Sequence, residues 1–200
     1  MIILKIRDKV NFGKLVVILS NNQTAPEMLE SIRSLLNTWR IPNETREPVD
    51  FFESEEDIHQ FMIEQWNEKL PFGSVNEVKN FRDTIREAVE QQKPLKPLFE
   101  KYPLQVMTMD EADIITYRAI GEENLYTFSL RIIISAITNK QWERLKACPD
   151  CKWVFYDQSR NGSKRWCGMY AEGEGGRACG TIAKVKRHRA KRKASSSYIK

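Results

Sequence analysis

The placement of the cysteines constrains this chain more than any other feature. All four, Cys148, Cys151, Cys167 and Cys179, fall within one quarter of its 200 residues. Cysteines scattered by packing needs would not gather in this way. Cys148 and Cys151 form a C-x2-C knuckle, and two more cysteines follow at a distance, as in zinc-binding segments. Four thiolates satisfy a tetrahedral zinc ion without water, which makes a closed, structural site. Two other uses of the sulfurs fit less well. The sequence opens on no signal-peptide pattern, so an oxidising compartment and a disulfide framework are not expected. A redox C-x-x-C normally starts a helix in a βαβ unit, whereas Pro149-Asp150 leads to the strand-like Trp153-Val154-Phe155-Tyr156. The sequence therefore predicts one structural zinc, held by Cys148, Cys151, Cys167 and Cys179.

Charge points the same segment at a polyanion. Residues 144–200 hold 15 Lys and Arg against 4 Asp and Glu, a balance of +11, and residues 1–143 hold 17 against 23, a balance of −6. A generic solvated surface mixes the signs, and segregation of this size favours a nucleic-acid partner. After Cys179, Ile182 and Val185 anchor a helix on which Lys184, Lys186, Arg187, Arg189, Lys191, Arg192 and Lys193 cover every face. Such a helix cannot bury itself, because unpaired ionised side chains are costly to desolvate. Arg160, Lys164 and Arg165 flank the turn dipeptide Asn161-Gly162, and a zinc-held loop would carry them beside the helix start. In this reading the helix serves phosphates, and Arg160 and Arg165 on the rigid loop are the candidates for reading bases.

The run Asp157-x-Ser159-Arg160-Asn161-Gly162-Ser163-Lys164-Arg165-Trp166-Cys167-x-Met169 resembles the signature of the CGNR zinc-finger proteins, bacterial transcription regulators with an ABATE-type N-terminal domain. In that family the C-x2-C knuckle comes first, then this run, then a C-G-N-R box and a basic helix. Here Cys179-Gly180 continues as Thr181-Ile182, so the Asn and Arg of the box are missing, and Tyr170 to Ala178 reads as an insertion. The glycines of that insertion, Gly173, Gly175 and Gly176, predict a mobile loop. The metal ligands carry over, and the box's Asn and Arg do not. Leu15 to Asn21 sits where ABATE-type domains have an apolar strand ending in Asn, and Phe81-Arg82-Asp83-x-Ile85-Arg86 resembles their L-R-x-x-I-R helix. The resemblance implies an ABATE-like domain over 1–143, a zinc finger over 144–200, and a DNA-binding regulator of transcription. Analogy with two-part regulators adds an unknown small-molecule effector for the first part.

The remaining chain reads as α+β: a mainly helical N-terminal domain with a few short strands, plus a small four-cysteine finger ending in a basic helix. Met1 to Ile6 and Leu15 to Leu19 predict a hairpin around Asn11-Phe12-Gly13. A helix follows from a Thr24 cap, with Met28, Leu29, Ile32, Leu35, Leu36 and Trp39 as its stripe. Ser54 starts a second helix, Val75 to Gln92 forms a third, and Pro94 and Pro97 punctuate a linker. Leu104 to Thr108 and Ile114 to Arg118 are strands, and a last helix is expected from Glu122 to Lys146. Residues 1–143 are expected to fold without the finger and, being acidic, not to bind nucleic acid. No apolar run approaches a membrane span, and with no targeting segment the expected location is the cytoplasm. RNA is the second candidate partner, because Trp153, Phe155, Tyr156 and Trp166 would suit base stacking, although they suit the small core of a finger better. An enzyme is not expected. No P-loop, Rossmann fingerprint or nucleophile elbow is present, and the two histidines, His59 and His188, lie far apart.

Overall fold

The computed structural model describes residues 9–11, 16–18, 23–91, 93–109, 114–168 and 178–196. Strand β1 (Lys9–Asn11) pairs antiparallel with β2 (Val16–Ile18). This is the expected hairpin, but the paired first arm is Lys9–Asn11, and Met1 to Ile6 lies outside the described residues. Helix α1 spans Leu29–Leu36 and is not capped by Thr24. A turn over Pro26–Met28 leads in, the Leu29 amide donating to the Pro26 carbonyl at 3.1 Å. The Glu30 carboxylate reaches back to accept from the Ala25 amide at 2.7 Å. The helix also stops before Trp39. Arg86 donates to the Leu36 and Trp39 carbonyls, so a side chain supplies the donor that another helical turn would have supplied. Trp39 lies instead in β3 (Trp39–Arg40), paired with β4 (Val49–Asp50).

Helix α2 (Glu55–Trp66) begins as expected at Ser54, in a capping box with Asp57, and three acids occupy its first turn. Helix α3 (Val75–Gln91) opens on the reciprocal pair Ser74 and Glu77. The proline-punctuated stretch read as linker holds a short helix, α4 (Lys96–Lys101). Pro97 stands in its first turn, where a missing amide costs nothing. Strands β5 (Leu104–Met109) and β6 (Ile114–Ala119) form the expected hairpin, with Leu104 opposite Ala119. Helix α5 (Leu125–Thr138) is capped by Asn124, whose side chain accepts from the Tyr126 and Thr127 amides. It is shorter than the expected Glu122 to Lys146. Lys140 adopts φ 57°, a left-handed conformation that ends a helix. A 3-10 turn and strand β7 (Leu145–Ala147) follow, paired with β8 (Val154–Tyr156). The apolar period runs past the helix end because Trp142 and Leu145 pack on the same core. The chain closes on α6 (Cys179–Ser196).

Helix α1 is the hub. Ile32, Leu35 and Leu36 are fully buried among Ile58, Phe61 and Met62 of α2, Val78 and Ile85 of α3, and Leu130 and Ile133 of α5. Truncating one such residue costs about 2–5 kcal/mol. The core does not stop at residue 143. Leu145, Val154 and Tyr156 of the β7–β8 hairpin belong to the same buried cluster. The 143/144 boundary therefore runs through shared packing.

Four arginines lie inside this body, and one of them, Arg40, stacks on the Phe51 ring at 4.7 Å. Arg82, completely buried, forks onto Asp50 at 2.8 and 2.9 Å and donates to Asp83 at 2.9 Å. Burial alone would raise the Asp50 carboxyl, but the Arg82 guanidinium holds it below the usual carboxylate range. Arg86 lies over the Trp39 ring at 4.6 Å, and Arg33 pairs with Glu30. Among the described residues, no helix is long and apolar enough to cross a membrane.

Candidate metal centre and nucleic-acid interface

The β7–β8 hairpin turns through the knuckle. Its ends are tied by the Cys148 amide, which donates to the Trp153 carbonyl at 2.9 Å, and by the Lys152 amide, which donates to the Cys148 carbonyl at 2.8 Å. Lys152 takes φ 62° to make the turn. Cys167 arrives on the loop that follows β8, and Cys179 is the first residue of α6. The Gly180 amide donates to the Gly168 carbonyl at 2.9 Å, stitching the third ligand's segment to the start of the helix.

The four sulfurs converge within 4.8 Å of one another. Cys151 Sγ lies 3.5 Å from Cys167 Sγ, which lies 3.8 Å from Cys179 Sγ. Zinc–sulfur bonds of about 2.3 Å put tetrahedral sulfurs ~3.8 Å apart, so the cluster has the size of a zinc site. Its chemistry asks for a cation. Hydrogen bonding, chiefly from Cys151, holds the Cys148 thiol far below the usual range, while hydrogen bonding with Cys148 pushes Cys167 and Cys179 far above it. All four ionise together only around a positive charge. Cys148, Cys151 and Cys179 are buried, Cys167 is half-buried, and Phe155, Trp153 and Trp166 pack around them. Trp153, Phe155 and Trp166 are thus the finger's own small core, whereas Tyr156 packs in the main core. Four protein ligands leave no open position, which makes the zinc structural rather than catalytic.

Asp157 organises the loop between β8 and Cys167. Its side chain is completely buried. One carboxylate oxygen accepts from the Ser159 amide and hydroxyl at 2.9 and 2.6 Å. The other accepts from the Lys164 amide at 2.7 Å and Lys146 Nζ at 2.8 Å. Burial by itself would raise this acid, yet the Lys146 ammonium and the donors of Ser159 and Lys164 hold it at about 2. Lys146 also donates to the Gly162 and Lys164 carbonyls. Arg144 donates to the Asp157 and Ser159 carbonyls at 2.9 and 2.7 Å. Gly162 closes the turn at φ 56° with its amide on the Ser159 carbonyl, a left-handed conformation that glycine adopts at the least cost. The loop therefore presents Arg160 and Arg165 on fixed backbone, both exposed, with Lys164 half-buried. Arg165 lies over the Trp166 ring at 5.3 Å.

The helical body grips the finger from behind. Asn37 bonds both backbone groups of Val154, and Arg33 adds a bond to the same carbonyl at 3.3 Å. Arg86 donates to the Lys152 carbonyl at 2.8 Å, and Lys152 Nζ pairs with Glu90 at 3.0 Å. The Tyr156 amide donates to the Gln23 carbonyl at 3.1 Å, and Gln23 Nε2 donates to the Cys167 carbonyl at 2.9 Å. The residues that position the finger were not singled out from sequence as functional. A usable signal existed in α3, where Arg82 and Arg86 fall at helical spacing within the stripe of Val78, Phe81 and Ile85. Charges inside an apolar stripe mark buried partners.

Beyond its half-buried first turn, α6 is exposed to solvent, and Lys186 makes a long ion pair with Asp150 of the knuckle at 3.9 Å. Lys184, Lys186, Arg187, Arg189, Lys191 and Arg192 are all exposed. Lys193 lies within the helix, and its side chain is outside the described residues, as is most of the insertion, 170–177. Thr181 and Ile182, standing where the box would carry Asn and Arg, are half-buried in the first turn. His188 is exposed among the cations, and His59 stacks on Phe72 at 5.1 Å. Neither belongs to the cysteine cluster.

Fold and site together define a helical body carrying a closed four-cysteine metal module. Residues 144–192 match the family model of the CGNR zinc finger, and the four cysteines of this segment form a site for one structural zinc. The match spans the knuckle, the Asp157 loop and most of α6. A search of the curated proteins found no match to the chain.

Proposed function

We propose that this chain is a cytoplasmic, DNA-binding transcription regulator in which structural zinc mounts a basic helix for contact with the duplex. The observation that carries the reading is the exposed helix α6, whose first residue, Cys179, is itself a zinc ligand. A solvated cationic helix gains affinity by releasing counterions from phosphates, and the zinc gives it a fixed root. The ABATE likeness of residues 1–143 supports the regulator reading by resemblance. RNA gains less support, because Phe155 and Tyr156 are buried and Trp153 and Trp166 are half-buried against the cysteine cluster. An effector would have room in the groove of about 400 Å³ beside the β5–β6 hairpin, which Tyr117, Arg118, Glu123 and Arg131 line. The reading is non-enzymatic, since the thiols are metal ligands. The test is a competition of labelled duplex DNA against structured RNA, with zinc-loaded and chelator-stripped protein. Preference for the duplex, lost with the metal, is expected. Equal or better binding of RNA would overturn it.

A further inference from the structure

The arrangement of charge around α6 specifies how it meets DNA. Successive helical residues turn by about 100°. Lys184, Arg187 and Lys191 therefore share one arc of about 60°, Lys186 and Arg189 share a similar arc on the opposite side, and Arg192 lies between them. All six are exposed. Lys186 makes a long, exposed ion pair with Asp150 at 3.9 Å, a weak contact that a phosphate can replace. A helix resting on a single phosphate ridge would engage one arc only. Cations on opposite sides meet phosphates together when phosphates flank the helix on both sides, which is the situation inside a groove.

Width selects the groove. A helix with its side chains is about 10–12 Å across. The major groove of B-DNA is about 12 Å wide and the minor groove about 6 Å. The major groove of A-form RNA is deep and too narrow for side-chain reading. The exposed stretch is long enough for the task. Residues 184–196 are helical and span roughly 20 Å, and residues 184–192 are all exposed. We infer that α6 inserts lengthwise into the major groove of B-form DNA, with Arg187 and Lys191 on one phosphate ridge and Lys186 and Arg189 on the other. This rests on the DNA-binding reading above and adds the groove and the two-sided contact.

The experiment uses the full, zinc-loaded chain and fluorescence anisotropy. The probes are one duplex, the same duplex with glucosylated hydroxymethylcytosine filling its major groove, and the unmodified duplex saturated with a minor-groove drug at an A·T tract. Glucosylation is expected to weaken binding at least tenfold, and the drug to change it less than twofold. Two double variants, Arg187→Ala with Lys191→Ala and Lys186→Ala with Arg189→Ala, are each expected to flatten the slope of log affinity against log salt by about 1.8, at about 0.9 per phosphate contact. Alanine favours helix, so neither variant should melt α6, and circular dichroism checks this. Equal affinity for the glucosylated duplex, competition by the drug, or one silent double variant would overturn the groove placement while leaving DNA binding intact. Absence of binding to any duplex, or preference for anionic vesicles, would overturn the DNA reading and this inference with it.

Discussion

Asn37 and Val154 bond as though they were neighbouring strands. The Asn37 side-chain amide donates to the Val154 carbonyl at 2.8 Å, and the Val154 amide donates to Asn37 Oδ1 at 2.8 Å. One end of the ring belongs to the C-cap of α1 and the other to the finger's second strand. Both groups are buried, so neither finds water when its partner is removed.

Asn37→Ala should therefore destabilise the zinc-loaded protein by about 1–3 kcal/mol, chiefly the cost of stranding the buried Val154 amide, since Arg33 still reaches the carbonyl. The measurement is urea denaturation followed by tryptophan fluorescence. A loss under about 0.5 kcal/mol would mean that the finger is not held through this ring.

Asp157 gives a pH signature. Its folded value of about 2 lies below the ordinary 3.8, so its contribution is complete above about pH 4–5 and is lost as pH falls through about 2. At roughly 1.4 kcal/mol per unit, that contribution is about 2 kcal/mol at neutral pH. Asp157→Asn should be less stable by about this amount at pH 7, and the gap should narrow by about 1 kcal/mol at pH 3. Loss of zinc in acid affects both proteins and drops out of the difference. A gap that does not change with pH would show that the charge of Asp157 is not what orders the loop.

Removing a ligand tests the metal. Freshly purified protein should contain one zinc per chain, and Cys167→Ser should contain none. In the variant the helical signal of α6 should fall while the body still melts cooperatively, at a lower temperature, because its core outside β7 and β8 is intact. Elemental analysis and circular dichroism read both outcomes. Zinc-free native protein, or native disulfides in mass spectrometry, would refute the site.

The two basic groups should separate by sequence dependence. Changing Lys191, Arg192 and Lys193 to Ala should weaken binding to unrelated duplexes alike and flatten the salt slope by about 2–3. Arg160→Ala should instead alter the preference between two duplexes, since its backbone is held by the Asp157 network and a rigid mount favours forked base contacts. Anisotropy across a salt series decides this, and an unchanged slope in the triple variant would make α6 a spectator.

The metal centre was legible because ligand chemistry is local. Four cysteines in one segment have few uses, and their clustering around a C-x2-C knuckle pointed to Cys148, Cys151, Cys167 and Cys179 as one set. Caps with paired chemistry, such as Ser54 with Asp57, were legible for the same reason. Thr24 misled because a cap-type residue competes with its tertiary setting, and Glu30 bonded the Ala25 amide instead. Trp142 and Leu145 extended the apparent last helix because a shared core continues an apolar period after the backbone has changed. The grip of Asn37, Arg33 and Arg86 on the finger was hidden because its acceptors are main-chain carbonyls, which have no residue type. A sequence displays donors of this kind without displaying what they hold.

The double role of Cys179, last ligand and first helical residue, ties two equilibria together. Ordering α6 at its root and closing the coordination sphere are one event. Any partner that favours the rooted helix must therefore tighten zinc by the same factor by which zinc tightens that partner. Occupied protein would need more chelator than free protein to lose its metal, and scarce zinc would be retained first by the molecules already bound to their target.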